Sequence, residues 1–240
     1  MPISVDAAAR TDVGLVRRRN EDTVYAGRNL FAVADGLGGH VAGDIASTTA
    51  VDALKPYDRQ ADPADLPAAL GRAVHAANEA LRRKVDADPG LEGMGTTLVA
   101  LLWSGSSAVV ANVGDSRVYV LRRGGPRLVQ LTEDHTYGNL VADAADVPHL
   151  PERISRFLDG RADGRSPDLT ARTLQPGDRF LLCSDGLSGV ISRELLRDIL
   201  RESTGPAEAV DRLIVAATEH GGPDNISVIV IDVRDGQELA

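Results

Sequence analysis

Apolar residues recur along this chain at two spacings. Ile3, Val5, Ala7 and Ala9 alternate with other residues, and TDVGLV then leads through three arginines to NED, which predicts an opening strand pair with a polar end. LFAVAD is a further short strand that closes on an acid. From Val41 to Leu54 the apolar positions take helical spacing, and Pro56 ends the run. The clearest helix starts at Leu66: Leu70, Val74, Ala77, Leu81 and Val85 recur every three or four residues, Arg72, Glu79, Arg82 and Lys84 take the opposite face, and DPG stops it.

Four strand-length runs follow, TTLVALLW, SAVVANVGD, RVYVLR and RLVQLT, separated by WSGSS, GDS and RGG. Their order predicts a meander in antiparallel sheet. The tract from about 136 to 166 lacks a long apolar face and reads as a surface insertion, more mobile than core, with at most a short helix near Pro151 to Leu158. Regular structure resumes at DLTARTLQPGDRFLLCSDG, where PGD turns the chain into an apolar strand. Two helices are expected over Arg193–Arg201 and Ala207–His220, and ISVIVIDV is a closing strand expected inside a sheet. Strands outnumber helices, and the helices come in two consecutive pairs. A layered α+β domain with antiparallel sheets satisfies that order.

Composition narrows the function. With 240 residues, 43% of them hydrophobic, the chain can bury a substantial core. A formal charge of -9 argues against a general nucleic-acid or anionic-membrane surface and suits chemistry on bound cations. One cysteine rules out an intramolecular disulfide and a cysteine-rich zinc site. The N-terminal MPISVDAAARTD has neither a basic start nor an apolar run, so a cytoplasmic location is expected, with no direct membrane insertion.

Four aspartates sit at ends of apolar runs: Asp35 after LFAVA, Asp115 after VVANVG, Asp185 after FLLCS, and Asp224 before NISVIVI. Each alone reads as a turn or cap residue. Together, with glycine beside three of them, they also read as oxygen ligands for a hard cation, because strand ends are rigid and glycine admits a backbone carbonyl. Both readings stand on the residues alone. Carboxylates held close raise one another's pKa unless cations neutralise them, and two cations sharing a water can present hydroxide to phosphorus. In RRRNED, Arg17, Arg18 and Arg19 supply planar cations suited to a phosphate, with one expected to point inward and the other two to be solvated.

RRRNED, DGLGGH, GTT, NVGDSR, SDGLSG and PDNISV, in this order, resemble the metal-dependent Ser/Thr protein phosphatases of the PP2C family, bacterial branch, from about Thr11 to Val233. The resemblance implies one domain over 1–240: a β-sandwich of two antiparallel sheets flanked by pairs of helices, with metals between the sheets at one edge. It also implies Asp35, the Gly36 carbonyl, Asp185 and Asp224 as ligands of two Mn²⁺ or Mg²⁺ ions, with Glu21 and Asp22 supporting their waters. Arg17 would clamp the phosphate. Asp115 would bind a weaker third ion, for which Asp143 and Asp146 of the flap are candidate partners. The implied activity is hydrolysis of phosphoserine and phosphothreonine in proteins by a metal-bridging hydroxide, opposed by a Ser/Thr kinase; nothing in the sequence supports a stable oligomer, so a monomer is expected.

The chain departs from the family pattern at the flap, DHTYGNLVADAADVPHL, which lacks the usual run of acids. Leu37 also stands directly after the first DG where eukaryotic relatives place a histidine. His40 is a candidate general acid; it can equally stabilise the loop, and metal-bound water is the alternative acid. Thr96, Thr97, Asn112, Ser184 and Asn225 are expected to orient the carboxylates. Cys183 reads as a buried apolar side chain, and His75, His135, His149 and His220 are assigned no metal. A noncatalytic phosphoprotein-binding module is the rival from another class.

Overall fold

The computed structural model describes residues 3–37, 42–141, 144–162 and 166–236. One sheet joins β1 (Ile3–Asp12), β11 (Ile226–Asp235), β10 (Arg179–Cys183), β7 (Arg117–Leu121) and β8 (Leu128–Gln130), in that order. The other runs β2 (Asp22–Ala26), β3 (Leu30–Leu37), β5 (Leu98–Ser104), β6 (Ser107–Val113) and β9 (Asp168–Thr173), with the two-residue β4 (Gly95–Thr96) paired to β3. All pairings are antiparallel.

The period of two in a strand sorts side chains into layers. Phe31, Val33, Val99, Leu101, Val110, Val118, Val120, Phe180, Leu182, Ile229 and Ile231 meet between the sheets. Their alternates on β3, β5 and β6 pack beneath α1 (Gly43–Leu54) and α2 (Leu66–Ala87). On the opposite side, Leu181, Cys183, Val228 and Val230 pack beneath α5 (Arg193–Glu202) and α6 (Pro206–Glu219). Central strands are thus apolar on both faces, which is why LFAVA, LVALL and ISVIVI read as unbroken apolar runs. The α+β sandwich flanked by helix pairs is the architecture the motifs implied, and β11 lies inside its sheet between β1 and β10.

Three expectations change. The opening strand pairs with β11 over ten residues, not with the segment after it, and residues 13–21 form a loop between the sheets. The four-strand meander splits: β5 and β6 form a hairpin in one sheet, while β7 and β8 belong to the other. Gly114, at φ +115°, makes that crossing, and a Cβ there would lie 2.6 Å from the Thr97 Cβ.

The third change concerns the insertion. No helix forms over 151–158; α3 (Tyr137–Leu140) and a 3₁₀ turn at Ala144–Asp146 precede it, and single bridges pair Thr136 with Ile154 and Thr96 with Leu158. Leu158 is fully buried in the core under α2, and Asn78 of that helix accepts from Gly160 N (2.9 Å) and donates to Arg161 O (2.7 Å). This end of the insertion is anchored core. Long-range packing of one leucine outweighs the polar composition around it.

Candidate active site

The acidic side chains gather at the edge of the sandwich where β3, β6 and β10 end and β2, β7 and β11 begin. Asp22 stands opposite Asp35 across the β2–β3 ladder. Asp185 opens the single turn α4 (Asp185–Ser188) directly after β10, Asp224 precedes β11, and Asp115 occupies the crossing between the sheets.

Backbone and hydroxyl donors hold this edge. Thr96 Oγ1 (2.8 Å) and Thr97 N (2.9 Å) donate to the Asp35 carbonyl, and Asp35 N donates to Thr97 Oγ1 (3.2 Å). Ser184 Oγ donates to Asp22 Oδ2 at 2.9 Å. Glu21 N donates to Asn225 Oδ1 (2.8 Å), and Asn225 N donates to Asp224 Oδ1 (2.8 Å). Gly36 is closely enclosed: its N donates to Glu21 O, and a Cβ would lie 2.2 Å from Gly43 O. Gly186 has still less room, 2.0 Å from Asn225 O. The glycines following Asp35 and Asp185 are therefore required by close backbone approach.

The protein's own groups leave the acidic cluster poorly compensated. Burial first, then repulsion from Asp22, Asp185, Asp115 and Asp224, pushes the Asp35 carboxyl well above the usual range. Burial lifts Asp22 and Asp115 to about 7, with Asp185 repelling both, and Asp185 is raised by its own burial and by Asp224. Asp22 Oδ1, Asp115 Oδ1 and Asp185 Oδ1 are buried without a hydrogen-bond partner. A buried acceptor facing other acids needs a proton or a cation. An all-oxygen donor set suits Mg²⁺ or Mn²⁺. Among the described residues no three His, Cys, Asp or Glu side chains are arranged to hold one ion by themselves, so an ion here would need backbone oxygen or solvent as well. Asp224 Oδ2 is instead taken by Arg17, whose Nη2 lies 2.7 Å away.

Placement of the sequence-derived residues follows from this. Arg17, Glu21, Asp22, Asp35, Gly36, Asp115, Asp185 and Asp224 all lie at the one edge. Of the three arginines, Arg17 is the one engaged with acids among the described residues. His40 and Asp143 lie outside the described residues, as does the side chain of Asp146.

The protein phosphatase 2C model matches residues 18–220. The chain is 45% identical over 235 residues to the serine/threonine protein phosphatase PstP of Mycobacterium tuberculosis, covering 95% of this chain. It belongs to the protein phosphatase 2C family. The alignment takes in 45% of that relative, so the chain spans under half its length. The serine/threonine phosphatase stp of Listeria welshimeri is 34% identical, over 94% of this chain and 95% of the relative. Among solved structures, the catalytic domain of PstP in complex with two manganese ions superposes with a TM-score of 0.88 at 45% identity, over 97% of this chain and all of that one.

Within this PP2C chain, two interactions escaped the sequence reading. Arg117, the arginine of NVGDSR, grips Asp134 through Nε (3.0 Å) and Nη2 (2.6 Å) and also donates to Ser188 O (3.3 Å), which ties the Asp115 turn to α4. His135 is buried. Its Nδ1 accepts from Gly114 N (3.0 Å), its backbone N donates to Gly114 O (2.9 Å), and Nε2 pairs with Asp168 Oδ2 (3.0 Å). Because Nδ1 accepts, the ring proton sits on Nε2 and faces Asp168. The signal was present in the run TEDHT, yet its partners lie some twenty residues upstream and 33 downstream.

Asn112, expected to orient a carboxylate, donates instead to the carbonyl of Glu133, at 2.7 Å. Its amide also reaches the Gly114 carbonyl, at 3.4 Å, so it serves the crossing between the sheets. Cys183 is fully buried in the layer beneath α5 and α6, and burial pushes its thiol up to about 12, which leaves no thiolate for catalysis at neutral pH.

Proposed function

We propose that this chain is a metal-dependent protein-serine/threonine phosphatase. The observation that carries the reading is the convergence of buried, donor-less carboxylate oxygens beside an arginine at one sheet edge. Asp35, the Gly36 carbonyl, Asp185 and Asp224 would hold two Mn²⁺ or Mg²⁺ ions, Glu21 and Asp22 would orient water around them, and Asp115 would serve a weaker third. When bound, such ions neutralise the clustered charge and make a shared water acidic enough to act as a nucleophile on phosphorus.

The chain's own residues do the rest. Ser184 orients Asp22, and the Thr96–Thr97 pair fixes the end of β3, so Asp35 is held by packed backbone. The half-exposed Arg17 guanidinium can swing from Asp224 to a substrate phosphate, whose oxygens accept its planar fork. His40 remains a candidate proton donor to the leaving oxygen. Phosphorylated proteins are the substrates under this reading, with an opposing Ser/Thr kinase, a cytoplasmic setting, a monomeric state and one phosphatase domain over 1–240. Among the described residues no helix is long and apolar enough to cross a membrane.

Chelation followed by separate restoration with Mn²⁺, Mg²⁺ or Zn²⁺, read on p-nitrophenyl phosphate and a phosphothreonine peptide, tests the central chemistry. Activity should vanish on chelation and return with Mn²⁺ or Mg²⁺; undiminished turnover in chelator would remove the metal from the reaction.

Arg17→Ala should raise KM for both substrates by roughly ten- to a hundredfold, the worth of a charged hydrogen bond of about 1.5–3 kcal/mol. Arg18→Ala and Arg19→Ala should leave p-nitrophenyl phosphate kinetics nearly unchanged. Identical kinetics in all three would show that Arg17 has no special place at the phosphate.

A further inference from the structure

The loop from Val13 to Arg19 presents two of the most exposed large apolar side chains of the described residues, Leu15 at 66% and Val16 at 67%. The loop is not loosely attached. Asn225 Nδ2 donates to the carbonyls of both Val13 (3.0 Å) and Arg19 (2.9 Å), closing it with one amide. Leu15 N donates to Gly222 O (2.8 Å). Gly14 takes φ +75°, and a Cβ there would lie 2.2 Å from the Asp224 carbonyl oxygen. The fold thus holds Leu15 and Val16 out in water on a braced turn, where an unconstrained loop would tuck them against the core.

The same brace carries the phosphate-facing arginine. Asn225 follows Asp224, and Asp224 holds Arg17, so the backbone that bears Leu15, Val16 and Arg17 is fixed against the same Asp224–Asn225 segment. Consecutive Cα atoms are about 3.8 Å apart, which puts Leu15 within about 8 Å of Arg17 along the backbone. An extended peptide advances about 3.3 Å per residue. A phosphoresidue engaged by Arg17 therefore brings its neighbours, one to three positions away, across this apolar pair. The guanidinium groups of Arg18 and Arg19 have no hydrogen-bond or ion-pair partner among the described residues and keep the rim cationic on a chain of charge -9. The cationic rim suits the anionic phosphorylated segment of a partner, whereas two copies of a chain of charge -9 repel one another.

We propose that Leu15 and Val16 form a substrate-reading ridge that seats an apolar side chain one to three positions from the phosphoresidue of a protein substrate. The proposal rests on the phosphatase reading above and adds a sequence preference to it. A buried apolar contact of this size discriminates by about tenfold or more.

The test compares phosphothreonine peptides of equal length and charge, with leucine or with serine at the flanking positions, and p-nitrophenyl phosphate, which has no flanks. Wild type should favour the leucine-flanked peptide about tenfold in kcat/KM, mainly through KM. Leu15→Ser/Val16→Ser should erase that preference while p-nitrophenyl phosphate turnover stays within about twofold, and the milder Leu15→Ala/Val16→Ala pair should reduce it. No preference in wild type, a preference that survives both double variants, or an equal loss on p-nitrophenyl phosphate each overturns the ridge. So does a dimer in sedimentation that the variants dissociate without changing peptide kinetics. Failure of wild type to hydrolyse any of these substrates with Mn²⁺ would instead overturn the phosphatase reading, and the ridge with it.

Discussion

Asp185→Asn is expected to lower kcat/KM by at least about a hundredfold, since even partners of a metal ligand cost ten- to a hundredfold and Asp185 is proposed as a ligand itself. Metal-free stability should not fall. The asparagine is isosteric, Asp185 Oδ1 has no protein donor to lose, and removing one charge relieves repulsion on Asp35, Asp22 and Asp115. Asp224→Asn should be as damaging to turnover, and it also frees Arg17 from its charge partner. Steady-state kinetics at saturating Mn²⁺ and thermal unfolding in chelator separate the two effects. Near-normal activity in either variant would refute the assigned role, and a collapsed Tm without metal would show that the carboxylate serves the fold.

Stability of the metal-free protein should decline as pH rises from about 4 to 7. Asp22 and Asp115 are held at about 7 in the folded chain, and Asp35 lies well above its ordinary value. Unfolded aspartates ionise near about 4. Below that value both states are protonated and there is no penalty. Between the two values the unfolded chain has released protons that the folded chain retains, so each step upward favours unfolding. Above about 7 Asp22 and Asp115 are ionised in both states, and their penalty is at its greatest. Holding one buried carboxyl at about 7, against about 4 unfolded, corresponds to about 4 kcal/mol, a large share of a total stability of about 5–15 kcal/mol.

Mn²⁺ should reverse the slope, because cations bind the ionised cluster and stabilise by about 2.7 kcal/mol per ion at a hundred times Kd. Asp58 and Asp168 act in the opposite sense but below about pH 4, since their burial is outweighed by the N–H, O–H, imidazole and guanidinium groups around them. Scanning calorimetry from pH 5 to 8, in chelator and in Mn²⁺, is the check. A metal-free Tm that stays flat or climbs would mean that the acids do not repel as placed.

Much of this site was legible because its acids abut strands. Asp35, Asp115, Asp185 and Asp224 each follow or precede an apolar run, and the motif order brought Arg17, Glu21 and Asp22 into the same set. The residues alone do not single out Arg17, since Arg18 and Arg19 have the same chemistry. The Asp224 contact distinguishes it. Asn225 was expected to orient a carboxylate, but its double bond to Val13 and Arg19, which braces the arginine loop, has no counterpart in local pattern.

The sequence by itself determined most of the strands, both helix pairs and the residue types available for chemistry, because period and turn chemistry are local properties; it placed the second strand in TDVGLV, whereas β2 lies at Asp22–Ala26. Only the tertiary structure decided which sheet each strand joins, since a strand buried on both faces shows no alternation from which to read its neighbours. It also decided that Leu158 is core, that His135 and Arg117 clasp the Asp115 crossing, and that Asp22, Asp35 and Asp185 share one buried volume. Those outcomes depend on contacts between residues far apart in the chain, and burial changes the energy of a charge far more than its sequence neighbours do.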